Sequence, residues 1–100
     1  MTKIKLLDKT KGVYQFYCPG CKEMHNIWTD KADGVDPWGF NGDVNNPTFT
    51  PSFKVLSYKG HDISGVCHSF IRNGKIEYLS DCTHELAGKT IDMVDIEQIL

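Results

Sequence analysis

The stretch CHSFIRNGKIEYLSDCTH, residues 67–84, decides how this chain folds. Asn73-Gly74 sits between two runs of alternating polarity, and both central residues of a type I′ turn need positive φ, so the pair predicts a two-residue β-hairpin. Such a loop sets the register: Arg72 faces Lys75, Phe70 faces Glu77, His68 faces Leu79 and Val66 faces Asp81. Because side chains alternate along a strand, Cys67, Ser69, Ile71, Ile76, Tyr78, Ser80 and, if the strand persists, Cys82 share one face. His68, Phe70, Leu79 and Asp81 share the other. The turn thus gathers two cysteines, two histidines and an aspartate at the open end of the hairpin, where folding alone has no need of them.

Outward from the hairpin, short runs rich in β-branched and aromatic residues predict further strands at Lys3–Leu7, Gly12–Tyr17, Met24–Trp28 and Phe53–Tyr58. Residues 33–53, DGVDPWGFNGDVNNPTFTPSF, are dense in turn formers and predict a loop that Trp38 and Phe40 pin to the core. Polar Asn41, Asp43 and Asn46 are candidates to line a cleft. After Asp81 the chain turns, with Glu85–Ala87 a short helical piece ended by Gly88, then a last strand at Lys89–Met93 and a tail or short helix over VDIEQIL. No repeat or low-complexity tract divides the 100 residues, so the expectation is one domain over 1–100. Its class is mostly β, a small α+β fold of antiparallel hairpins with a zinc-knuckle turn and one short helix.

Composition narrows the function classes. At 40% hydrophobic and 24% charged the chain is ordinary globular material. A formal net charge of −2 offers no broad basic footprint, which argues against generic nucleic-acid binding. The start, MTKIKLLDKTKG, lacks an apolar run of signal-peptide length, and no stretch approaches the ~20 apolar residues of a membrane span. The expectation is a cytoplasmic protein with no membrane partner. In a reducing compartment its four cysteines read as thiols or metal ligands rather than disulfides.

YCPGCKEMH, residues 17–25, supports the metal reading. Cys18 and Cys21 flank a Pro-Gly turn between two strands, the knuckle spacing that aims two sulfurs and nearby backbone N–H groups at one ion. A redox C-x-x-C would open a helix in a thioredoxin-like context, which is missing here. A closed Zn2+ site needs two more ligands, and His25, Cys67, His68, Cys82 and His84 are the candidates. His25 is close enough in sequence to fold back, and Cys67 is the cysteine best fixed by strand register. The assigned set is Cys18, Cys21, His25 and Cys67. A domain this size buries only about 60–70% of its unfolded surface, so a bound ion would supplement its core.

The rest of the hairpin end suggests chemistry. Asp81, on the same face as His68, could orient its imidazole and fix the tautomer. Cys82 or Ser69 could then act as nucleophile, with His84 as a second base or a stabiliser of developing charge. The candidate catalytic group is His68, Asp81, Cys82 and His84.

The combination of WGFNGD (38–43), NNPTFTPSF (45–53), CHSFIRNGKIEYLSDCTH (67–84) and ELAGKTI (85–91) resembles a family of small phage and prophage proteins, domain of unknown function 6527. Its members are often labelled ammonia monooxygenase, which this chain's size and make-up do not support. The similarity runs from about Cys18 to Ile91. Relatives in bacterial operons for ubiquitin-like conjugation are considered peptidases, so the resemblance implies a protein or peptide substrate of ubiquitin-like kind. In that family the position matching Cys82 is serine in many members, which suits a nucleophile or a small buried residue better than an obligatory zinc ligand.

Three readings follow. The first is a zinc-stabilised hydrolase of peptidase type, acting in the host cytoplasm if phage-encoded. The second is a non-catalytic zinc-knuckle module that binds another protein. The third makes the zinc catalytic, held by His68, His84 and a cysteine with one position open to water.

Overall fold

The computed structural model describes residues 2–30 and 37–98. Among these residues are eight strands in two antiparallel sheets. Strands β1 (Lys5–Asp8), β2 (Val13–Cys18) and β3 (Glu23–Trp28) form the first, in that order. Strands β4 (Gly39–Phe40), β5 (Phe49–Lys59), β6 (Asp62–Arg72), β7 (Lys75–Tyr78) and β8 (Thr90–Asp92) form the second, also in chain order. The mostly β, antiparallel reading holds. Among the described residues the single helical piece is a 3-10 turn at Ile96–Gln98. The short helix expected over Glu85–Ala87 is instead a set of turns, in which Ala87 N–H donates to His84 O at 3.2 Å and Lys89 N–H to Leu86 O at 3.0 Å.

The two sheets share one apolar core. Ile4, Phe16, Cys18 and Ile27 meet Phe49, Phe53, Cys67, Ile71, Ile76 and Tyr78 in it, with the Phe16 and Phe53 rings edge-on at 5.7 Å. On β6 and β7 the buried residues are Cys67, Ser69, Ile71, Ile76 and Tyr78, which lie on one face as alternation predicts; the structure turns that face inward. Ile27 and Ile76 are fully covered, and burial of a side chain of that size stabilises by about 1.5–3 kcal/mol.

Asn73 (φ 49°) and Gly74 (φ 75°) make the hairpin turn, and Arg72–Lys75, Phe70–Glu77 and Ser69–Tyr78 pair across it. The ladder then departs from the expected register. β7 ends at Tyr78 rather than continuing to Asp81, and Val66 is met by Thr83, whose N–H donates to Val66 O at 2.9 Å. Ser80 is exposed rather than inward.

β5 begins at Phe49, four residues before the expected strand, and carries an irregularity there. Phe49 pairs with Ile71 and Phe53 with Ser69, so four steps of β5 oppose two of β6. A bulge of this kind re-aims the side chains it carries. Of the expected loop, 33–36 lie outside the described residues. The remainder is pinned as its aromatics suggest: Phe40 stacks on Phe49 at 4.8 Å and Trp38 meets Phe53 edge-on at 5.3 Å. Asn41, Asp43 and Asn46 are exposed and brace the loop itself, Asp43 Oδ1 accepting from the N–H groups of Asn45 and Asn46. No helix among the described residues is long and apolar enough to cross a membrane.

Candidate functional site

Two constellations of polar side chains flank β6. The first lies on its outer side. His68 pairs with Lys54 across β5, which places it diagonal to Ser52 on the same face. Ser52 Oγ is 3.0 Å from His68 Nε2, and Asp81 Oδ2 is 3.1 Å from His68 Nδ1. The ring is therefore held at both nitrogens. A carboxylate accepts only, so Nδ1–H donates to Asp81 and leaves Nε2 free to accept the serine hydroxyl proton. The bulge at the start of β5 presents Ser52, and Trp38 Nε1–H donates to Ser52 O at 3.3 Å. The His68 side chain is 22% exposed and that of Asp81 49%, so the site opens to solvent and the hydrogen bond to Asp81 orients the ring more than it stabilises the fold.

The second constellation lies on the inner side. Donor atoms of Cys18, Cys21, Cys67 and His84 all lie within 4.8 Å of one another, close enough to share one metal ion. Cys18 ends β2 and Cys21 lies in the turn before β3, where Cys21 N–H donates to Cys18 Sγ at 3.4 Å. Cys67 comes from β6, its Sγ 3.7 Å from Cys18 Sγ. His84 comes from the turns after β7 and lies over Gly20, where a Cβ would fall 2.5 Å from Nε2. The glycine is a cradle for the imidazole. Tyr78 supports both halves, with its hydroxyl 3.1 Å from Cys18 Sγ and its ring edge-on to His84 at 4.6 Å.

The electrostatics of this cluster suit a cation. The hydrogen bond from Cys67 is the main cause that lowers the Cys18 thiol to about 3, with the Tyr78 hydroxyl and the Cys21 amide beside the same sulfur. The same bond pushes Cys67 well above the usual thiol range, helped by burial. Burial, then the Cys18 charge, raises Cys21 to about 11. Burial and Cys18 likewise raise the Tyr78 hydroxyl. One thiolate is thus stabilised and its neighbours hold their protons, because three buried negative charges need a positive one among them. His84 Nε2 is buried without a hydrogen-bond partner, and a buried orphan nitrogen beside three sulfurs is what an ion would satisfy. Leu86 N–H donates to His84 Nδ1 at 3.2 Å, so the neutral ring carries its proton on Nε2. Ligation through Nε2 would move that proton to Nδ1 and give up the Leu86 bond.

Of the residues singled out in the sequence, His68 and Asp81 come together, and Cys18, Cys21 and Cys67 come together. His84 stands with the sulfurs rather than with His68. Cys82 is buried and meets the backbone of His68, not its ring: Sγ accepts from His68 N–H at 3.2 Å and donates to His68 O at 3.1 Å. His25 is buried with Nε2 unpartnered, and forms a second candidate set with Glu23 and Cys21, so it borders the sulfur cluster through Cys21. Ser69 faces the core. Sequence reasoning missed Ser52, because strand alternation within the hairpin says nothing of a neighbouring strand's bulge. It also missed Tyr78 and Gly20 as supports of the sulfur cluster.

The model of one family, described as BubE, bacterial ubiquitination-like system serine protease, matches residues 2–79. That span holds Ser52, His68 and the three clustered cysteines, and ends before Asp81 and His84. No curated protein and no solved structure matches the chain.

Proposed function

The chain belongs to the BubE family, and from that premise we propose that it is a serine peptidase whose nucleophile is Ser52. The observation that carries this reading is the continuous relay of Ser52 Oγ, His68 Nε2, His68 Nδ1 and Asp81 Oδ2, with links of 3.0 and 3.1 Å. In it Ser52 Oγ attacks the substrate acyl carbon as its proton passes to His68 Nε2. Asp81 holds the tautomer and balances the imidazolium, and His68 then protonates the leaving amine. A water molecule releases the acyl group by the reverse proton path. Cys82 and His84, candidates for this chemistry in the sequence, take other roles here, because neither meets the His68 ring.

The substrate in this reading is a protein or peptide, and the family description points to a ubiquitin-like protein. The sulfur cluster with His84 is assigned to Zn2+ as a structural site at a knuckle turn: its sulfur-rich donor set of three cysteines and one imidazole suits that ion. When bound, zinc would cross-link the β2–β3 turn, β6 and the turns after β7. Catalytic zinc is disfavoured because His68 and His84 belong to separate constellations. A single domain acting in the cytoplasm, phage-encoded as the resemblance suggests, completes the proposal.

The test is reaction of the purified chain with a fluorophosphonate and with a ubiquitin-like protein bearing a C-terminal peptide extension. Labelling at Ser52 and cleavage, both lost in Ser52→Ala and His68→Ala with metal content unchanged, are the expected results. Cleavage that survives Ser52→Ala would remove the serine mechanism. No labelling and no cleavage in the unaltered chain would favour a protein-binding module instead.

A further inference from the structure

We infer that Cys82 is a positioning residue for His68, acting through the main chain; the inference rests on the reading of Ser52, His68 and Asp81 as a hydrolytic relay. In an uninterrupted ladder, His68 and Leu79 would exchange two backbone hydrogen bonds. Only one of these forms: Leu79 N–H donates to His68 O at 2.9 Å. Leu79 O is taken instead by Cys82 N–H at 3.2 Å, which closes a turn over Leu79–Cys82. That leaves the His68 N–H without its ladder acceptor.

The Cys82 thiol fills the place of the lost carbonyl. Its sulfur accepts from His68 N–H and its S–H points to His68 O, at 3.2 and 3.1 Å. Thr83 then restores pairing with Val66 in both directions, N–H to Val66 O at 2.9 Å and Val66 N–H to Oγ1 at 2.9 Å. The interruption is therefore confined to the turn, and its product is Asp81 displaced outward onto His68 Nδ1. One turn holds His68 twice, by the ring through Asp81 and by the backbone through Cys82. With only 8% of its surface exposed and both polar contacts on main chain, the thiol is a poor candidate to meet substrate.

A shift of the His68 backbone carries straight to the 3.0 Å contact between Nε2 and Ser52. Misplacement on the order of 1 Å in a catalytic group reduces turnover by about 100-fold. A hydroxyl can accept and donate as the thiol does, whereas a methyl or isopropyl group can do neither.

The experiment compares Cys82→Ser, Cys82→Ala and Cys82→Val in the full, metal-loaded chain, Val filling the thiol's volume should Ala fail to fold. On a peptide ester, Ala or Val is expected to lower kcat by about 10–100-fold with KM little changed, while Ser stays within a few-fold of the unaltered protein. Proton NMR should show the His68 Nδ1–H resonance shifted and the His68 amide exchanging faster in Ala or Val, both restored in Ser. Unaltered kcat, resonance and exchange in Ala or Val would overturn the inference. So would loss of activity in Ser together with fluorophosphonate or iodoacetamide attached to Cys82, which would make it the nucleophile. Activity that survives Ser52→Ala would sink the relay, yet the resonance and exchange of His68 would still report whether Cys82 positions it.

Discussion

Cys67 and His68 are consecutive on β6, and their side chains serve different constellations on opposite faces of that strand. Cys67 Sγ lies 3.7 Å from Cys18 Sγ on the inner side, and His68 Nδ1 lies 3.1 Å from Asp81 on the outer side. The turns after β7 repeat the arrangement, with Asp81 at the relay and His84 at the sulfurs. The two sites are built back to back on the same pieces of chain, so what loosens one is expected to loosen the other.

The ligand set can be read by substitution. Cys18→Ser, Cys21→Ser, Cys67→Ser and His84→Ala should each lower zinc affinity by more than about 100-fold, beyond what loss of an outer support produces. They should also lower the melting temperature. His25→Ala should leave one zinc per chain. Elemental analysis with thermal unfolding checks this, and loss of zinc in His25→Ala with retention in His84→Ala would exchange the two histidines.

Gly20→Ala should weaken zinc binding although position 20 contributes no ligand. The added methyl would fall 2.5 Å from His84 Nε2 and push the ring off the sulfurs. A zinc titration against a chromophoric chelator reads the effect, and affinity equal to that of the unaltered chain would show that His84 does not use that cradle.

Zinc binding should release about two protons from the three thiols near pH 7, because Cys18 is already a thiolate while Cys21 and Cys67 hold theirs. The sign follows from the direction of the shifts. Protons compete with the ion at the two raised thiols, so affinity rises with pH until those thiols ionise, for Cys21 at about 11. Calorimetry in buffers of different ionisation enthalpy counts the protons. A release of three would mean that the Cys18 thiolate is not preformed.

Asp81→Asn should keep the fold and reduce kcat by roughly 100- to 1,000-fold, less than the 10,000-fold known for a buried triad aspartate, because this carboxylate is half exposed. An amide can donate to Nδ1 and so favours the wrong tautomer. Long-range nitrogen–proton NMR of His68 should show the proton moved to Nε2. Unaltered turnover would remove Asp81 from the relay.

The hairpin was legible because its signals are local. Asn73-Gly74 demands positive φ, and alternation from that turn puts Cys67 and His68 on opposite faces. The Cys18-Cys21 pair likewise declared itself by spacing. The register beyond Tyr78 was not legible: whether a strand continues or turns at Leu79 depends on which donor Leu79 O takes, His68 N–H or Cys82 N–H, a competition within the folded chain.

Local chemistry sets the hairpin, the paired cysteines, the aromatic anchors of the loop, and the nearness of His68 to Asp81. That Ser52 stands at His68 and that His84 crosses to the sulfurs follows from how the sheets assemble. Ser52 is 16 residues from His68 and reaches it through a bulge that shifts β5 by two residues against β6. His84 lies 64 positions after Gly20, and only the packing of the turns after β7 against the β2–β3 turn brings them together. Contacts between strands depend on register, and register is settled by the burial of both faces at once, a property of the assembled sheets rather than of any one segment.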